Sequence, residues 1–213
     1  MIKNTLLVAS LLATTTLFAQ FNFNISEIDD TVKSRMLEGG SWKKECPVAL
    51  RDLRYVQVNH WNFEGETISG ELIVHKDIAW DTVYVFEELY LANYAINQMH
   101  LVSDYSANDW ASIEADNTSA FNCRLTTGKK TWSRHSYGRA IDINPIENPY
   151  ISRTGHISHK ASEQYRKRVH HNLKNLADRA LLLERDSATK IFKNHGFKWG
   201  GNWKTKDYQH FVK

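Results

Sequence analysis

For a chain of 213 residues, three prolines, ten glycines and two cysteines are few. Nowhere do Pro, Gly and Ser gather into a linker, and no repeat or low-complexity tract breaks the sequence. That scarcity excludes a string of small modules, because domain boundaries fall in such linkers. Cys46 and Cys123 permit a single intramolecular bridge. A disulfide and two separate buried thiols both fit the sequence, and nothing beside either cysteine supplies the base a nucleophile needs.

Charge of one sign is also scarce. The net charge is only +3, with Lys3 part of it, and no basic stripe carries interleaved aromatics. Nucleic acid is therefore excluded as a partner. The one long apolar run, Leu6 to Leu17, is interrupted by Ser and Thr and is too short for a membrane span. With Lys3 ahead of it and the small Ala19 behind, it reads as a signal peptide over residues 1–19, cut before Gln20. Leu17, two positions before that cut, keeps a retained anchor open. No cysteine directly follows the run, which argues against a lipid-modified N-terminus. The expectation is an exported protein of the periplasm or cell wall, with no stable membrane insertion after cleavage and an unspecified oligomeric state.

Residues 20–213 suffice for one domain. Ile28, Val32 and Met36 recur at helical spacing behind Ser26, which predicts a short helix over 26–37 ended by Gly39 and Gly40. The β-branched and aromatic runs Leu53–Trp61 and Thr67–His75, separated at Gly65, predict two strands. A helix is expected over Asp77–Tyr94, an acidic loop over 104–117 and a strand near Phe121–Leu125. Residues 160–184 read as a long basic helix whose Arg166–Arg168 face is solvated. A second helix over Ser187–His195 stops at Gly196, and the aromatic stretch Phe197–Val212 predicts strands around Gly200 and Gly201. The sum is an α+β fold, with helices on one side of a mostly antiparallel sheet.

Chemistry concentrates in two places. Ser133-Arg134-His135-Ser136-Tyr137-Gly138-Arg139-Ala140-Ile141-Asp142 carries an imidazole and a carboxylate, and Asp207-Tyr208-Gln209-His210 another of each. A spacing of seven would put His135 and Asp142 on one helix face. Gly138 between them and Pro145 after them argue instead for a turn entering a strand. A catalytic zinc takes three protein ligands and keeps a fourth position for water, and a donor set without thiolates is not that of a structural zinc. His156, His159, His170 and His171 look like a second set of ligands, but they lie in a polar loop and a charged segment, where solvated faces are usual.

The first segment resembles the pattern Ser-x-His-x-x-Gly-x-Ala-x-Asp of the zinc D-Ala-D-Ala carboxypeptidase and L-alanyl-D-glutamate endopeptidase family. An acidic residue, two spacers and His complete that pattern near the C-terminus, as Asp207 and His210 do here. The family includes VanY-like enzymes and shares its wider group with lysostaphin-type peptidases and the hedgehog domain. The likeness is strongest over residues 121–150 and 196–213. It is closest to the endopeptidase-like branch through Phe121-Asn122-Cys123-Arg124, Asp142-Ile143-Asn144-Pro145 with Asn148-Pro149-Tyr150, and Trp199-Gly200-Gly201-Asn202-Trp203.

The resemblance implies one Zn2+ per chain held by His135, Asp142 and His210, with Asp207 as general base. It implies that Arg124 stabilises the oxyanion, that Ser133 contacts substrate or shapes the site, and that Tyr137 lines the cleft, where core packing is the alternative. The implied substrate is peptidoglycan or a muropeptide. The implied division is residues 1–19 as signal peptide, 20–47 as an N-terminal extension and 48–213 as a zinc peptidase domain.

Overall fold

A computed structural model describes residues 20–213, so the signal-peptide reading lies outside the described residues. The chain opens with strand β1 (Phe23–Ser26) and helix α1 (Asp30–Glu38). This helix begins later than its periodicity suggested, because Asp29 and not Ser26 caps it, accepting from the Val32 amide at 2.8 Å. Strands β2 (Leu53–Trp61) and β3 (Thr67–His75) have the predicted bounds and pair antiparallel from Leu53↔His75 to Trp61↔Thr67. β1 adds to the free edge of β2, giving the order β1-β2-β3. Helix α2 (Ala79–Leu91), entered through a 3-10 turn at Lys76–Ile78, packs on this sheet.

The second half is built from shorter pieces. Strands β4 (Gln98–Met99) and β5 (Asn117–Thr118) pair parallel around helix α3 (Asp109–Glu114), where the sequence predicts only an acidic loop. Then come β6 (Ala140–Asp142), β7 (Tyr150–Ile151), α4 (Leu176–Arg179), α5 (Ser187–Asn194), β8 (Lys198–Trp199), β9 (Lys206–Asp207) and β10 (His210–Val212). The last strand lies between β6 and β8, antiparallel to both, while β7 pairs with β9. The result is an α+β fold with mainly antiparallel sheets.

Two expectations fail here. Phe121–Leu125 is not a strand: Arg124 N donates to the Ser136 hydroxyl at 2.9 Å and Cys123 N to Ser41 O at 3.0 Å, and only Leu125 makes an isolated bridge, to Trp132, so no ladder forms. Residues 160–184 are not a long helix but a 3-10 segment over Lys160–Tyr165, then loops and α4. Buried side chains occupy the backbone groups that a helix would need. Asn148 donates to Ala180 O at 3.0 Å and accepts from Leu182 N at 2.7 Å, and Arg168 donates to Asn148 Oδ1 at 2.6 Å and Leu182 O at 3.0 Å. Arg168 also lies over the Tyr208 ring at 4.4 Å, so it is a crosslink and not part of a solvated face.

The main core unites the two halves. Val56, Val58, Leu72 and Val74 of the large sheet and Val83, Phe86 and Leu89 of α2 pack with Ile141, Phe192, Phe197 and Phe211. Phe192 stacks on Phe211 with ring centres 3.8 Å apart. A second cluster under α1 joins Val32, Met36, Leu53, Leu101, Phe121 and Cys123.

Candidate metal centre

Ser133 starts the 3-10 turn Arg134–Tyr137, its hydroxyl accepting from the His135 amide at 3.3 Å. Gly138 ends the turn with φ +65°, a region open to glycine. A Cβ there would lie 2.6 Å from His75 N, and the same close approach lets His75 N donate to Gly138 O at 2.7 Å. The turn thus delivers the chain into β6 anchored on the end of β3, with His135 before it and Asp142 inside it.

β10 supplies the third group. His210 stands directly opposite Asp142 in the β6–β10 ladder, and such a pair puts its side chains on the same face of the sheet. His210 Nδ1 lies 2.8 Å from Asp142 Oδ1, His135 Nε2 lies 3.2 Å from Asp142 Oδ2, and the two imidazole nitrogens are 3.2 Å apart. One ligand atom from each residue falls within 4.8 Å of the others, a spacing that could hold an ion. His135 Nδ1 donates to the Ala120 carbonyl, which leaves a lone pair on Nε2 facing the cluster. The donors therefore fit a metal of the zinc type.

Burial works against ionising Asp142, yet His135 and then His210 outweigh it and hold the carboxyl far below its ordinary range. Burial likewise opposes charge on His135, but Asp142 leaves its pKa raised. Asp207 behaves in the opposite way: burial first, then the Asp142 charge, push it up to about 6. Its Oδ1 is buried without a hydrogen-bond partner among the described residues. Gly200 packs close to this strand, since a Cβ there would lie 2.5 Å from Asp207 O and 3.3 Å from His210 Cβ.

Arg124 is within electrostatic reach of His135 and opposes its protonation. Its guanidinium forms an ion pair with Asp109 at the start of α3, and Asn122 holds the other Asp109 oxygen at 3.0 Å. Tyr137, partly buried, sits on the turn that carries His135. Cys46 and Cys123 form a disulfide, Cα atoms 5.8 Å apart, so the N-terminal segment is bonded to the residue next to Arg124.

Sequence reasoning does not find Asp109 or the Ala120 carbonyl, which no spacing rule connects to the motif. It places Trp203 in the Trp199–Trp203 likeness without a role, and the structure puts its ring 5.2 Å from that of His210. The histidines read as a decoy have other partners: His159 contacts Glu114 and His170 contacts Asp178. A second grouping of candidate ligands, Glu71, His100 and Asp104, is bridged by Arg35, which bonds both carboxylates.

Two imidazoles and a carboxylate, with the partly buried Asp207 carboxylate nearby, are the donor types that catalytic metal sites use and lack the thiolates common in structural ones. Comparison with known proteins points the same way. Residues 127–213 match the family model described as D-alanyl-D-alanine carboxypeptidase, so this part of the chain, which holds every group of the cluster, is similar to a family of peptidases. No curated protein and no solved structure matches the chain.

Proposed function

We propose that the protein is an exported zinc metallopeptidase that hydrolyses amide bonds in peptidoglycan stem peptides. The observation that carries this reading is the convergence of His135, Asp142 and His210 beside the Asp207 carboxylate, one of whose oxygens is buried without a hydrogen-bond partner, inside the peptidase-like segment. These three residues would hold one Zn2+ per chain. When bound, zinc supplies Lewis-acid polarisation of the scissile carbonyl and acidifies water.

The protein's own groups do the rest. Asp207 accepts a proton from the attacking water and returns it to the leaving amine, a task for which a carboxyl lifted towards neutrality is suited. Arg124, steadied by Asp109, offers positive charge to the developing oxyanion. Ser133 sets the His135 turn, and Tyr137 lines the cleft. Residues 1–19 act as the signal peptide, which places the enzyme in the periplasm or wall. Residues 20–47 are an N-terminal extension to the zinc peptidase domain of 48–213. No helix among the described residues is long and apolar enough to cross a membrane.

A narrower activity of the same class is D-Ala-D-Ala carboxypeptidase, removing only the terminal residue. A reading of another class is a non-catalytic zinc-binding wall or interaction module, against which Asp207 and Arg124 both weigh. Mass spectrometry of purified muropeptides after incubation with the zinc-loaded protein separates the three. Loss of one alanine indicates the carboxypeptidase, a split inside the stem the endopeptidase, and unchanged muropeptides the module.

A further inference from the structure

Two large aromatic side chains at the centre are left open to solvent. Trp203 is 41% exposed although its ring lies 5.2 Å from the ring of His210, tilted by 53°. Its place is set by the backbone: the 3-10 turn Gly200–Asn202 precedes it, and Trp203 N donates to Gly200 O at 3.0 Å. Gly200 in turn rests against Asp207 and His210. Tyr150 is 46% exposed and stands directly opposite Asp207 in the β7–β9 ladder. Directly opposite residues share a face with Cβ atoms roughly 4.5–5.5 Å apart, so Tyr150 and Asp207 project from the same face of this ladder.

Exposure alone does not mark these two rings, since Phe23, Trp80, Tyr84 and Trp110 are exposed as well. Their place does: the fold holds one beside the His210 imidazole and sets the other across the ladder from Asp207. A residue spans at most about 3.6 Å of extended chain. A ring some 5 Å from His210 is therefore about one residue away from a carbonyl presented to the cluster.

We infer that Trp203 and Tyr150 form an aromatic clamp that grips the substrate residue flanking the scissile bond. The ligand chemistry it suits is a flat amide plane with a small alkyl side chain, as in an alanyl residue. Indole and phenol faces cover the methyl and the peptide plane, while an acidic side chain meets the negative faces of the rings without compensation. This rests on the peptidase reading for the identity of the substrate. The clamp itself is a matter of binding and does not depend on turnover.

The test is calorimetric titration of an alanine-terminated muropeptide pentapeptide into zinc-loaded protein carrying Asp207→Ala, which stops turnover. It is repeated with Trp203→Ala, Trp203→Phe, Tyr150→Ala and Tyr150→Phe, and KM and kcat are measured for the same four changes with Asp207 intact. Each alanine variant is expected to weaken binding and raise KM by roughly tenfold, with kcat less affected and each phenylalanine variant within about threefold of its parent. Zinc content and Tm are expected to stay at parental values. Alanine variants that bind within twofold of the parent overturn the clamp and leave the peptidase reading intact. Losses that follow zinc content or Tm overturn it as well, because they mark a structural role. Binding without hydrolysis by the unmodified protein removes the peptidase reading, and the alanine comparison still decides the clamp. A protein that does not bind the pentapeptide removes both.

Discussion

Asp142 and Asp207 are both buried carboxyls in one small volume, and their neighbours drive them apart. Asp142 has an imidazole on each side and stays ionised, whereas Asp207 has an unpartnered oxygen and a like charge nearby. The first is suited to bind a cation and the second to exchange a proton. Substitution should separate the roles. His210→Ala is expected to lose zinc, since a three-ligand site has no spare donor. Asp207→Asn is expected to keep zinc while turnover falls by about 10²–10⁴-fold. Metal analysis and kcat on a muropeptide check both, and full zinc occupancy in His210→Ala would remove the C-terminal ligand.

A third carboxyl lies outside the site. Glu147 is pushed up to about 10, first by burial and then by Asp116, with Tyr165 also facing it. Its Oε2 has no hydrogen-bond partner among the described residues. The folded protein therefore keeps a proton that the unfolded chain releases near 4.5, and stability falls as pH rises from there towards 10. Glu147→Gln removes that penalty. In urea unfolding the variant should gain at least ~1 kcal/mol over wild type between pH 5 and pH 8. A stability difference that does not change with pH would mean that Glu147 is ionised in the fold.

At the scale of elements, the site depends on short pieces that could not stand alone. β6, β9 and β10 are two or three residues each, below the length at which strands are stable without tertiary support. The turn at Gly138 and the close packing of Gly200 hold them in place, and Asn148 and Arg168 tie in the loops behind. The disulfide adds a covalent tie across a separation of 77 residues, next to the segment that carries Arg124. On chain-entropy grounds such a closure is worth up to about 4.5 kcal/mol. The double change Cys46→Ser with Cys123→Ser is expected to lower the unfolding free energy by 2–4 kcal/mol on that scale. Denaturant unfolding measures it; an unchanged midpoint would show that the N-terminal segment is held by packing alone.

For the whole molecule, the peptidase-like segment is not a self-contained half. It supplies the cluster residues, but Ile141, Phe192 and Phe211 are buried against Val56, Val74, Val83 and Phe86, which precede it. His135 is oriented by the carbonyl of Ala120 and Arg124 by Asp109, both also outside it. A fragment of residues 127–213 is thus expected to lack a cooperative thermal transition, whereas residues 20–213 melt as one unit. Circular dichroism with a dye for exposed apolar surface distinguishes the two, and a sharp melt of the fragment would contradict the shared core.

The sequence by itself determined the strand pair and named the candidate ligands, for different physical reasons. The β-branched and aromatic runs Leu53–Trp61 and Thr67–His75 are local patterns, whereas His135, Asp142, Asp207 and His210 stand out as a set through their resemblance to the peptidase pattern. The turn at Gly138 was legible as well, because Gly138 ahead of an alternating run and Pro145 after it favour a turn entering a strand over a helix. Only the tertiary structure decided how these residues meet. The His210↔Asp142 register arises from β10 inserting between the nearby β8 and β6, whose Asp142 is 68 residues away, and no local signal encodes that second pairing. Residues 160–184 carry a helix-compatible composition, yet buried Asn148 and Arg168 take their backbone groups, so long-range hydrogen bonds override local propensity. The ion pair of Arg124 with Asp109 and the bond between Cys46 and Cys123 likewise depend on which distant segments the core brings together.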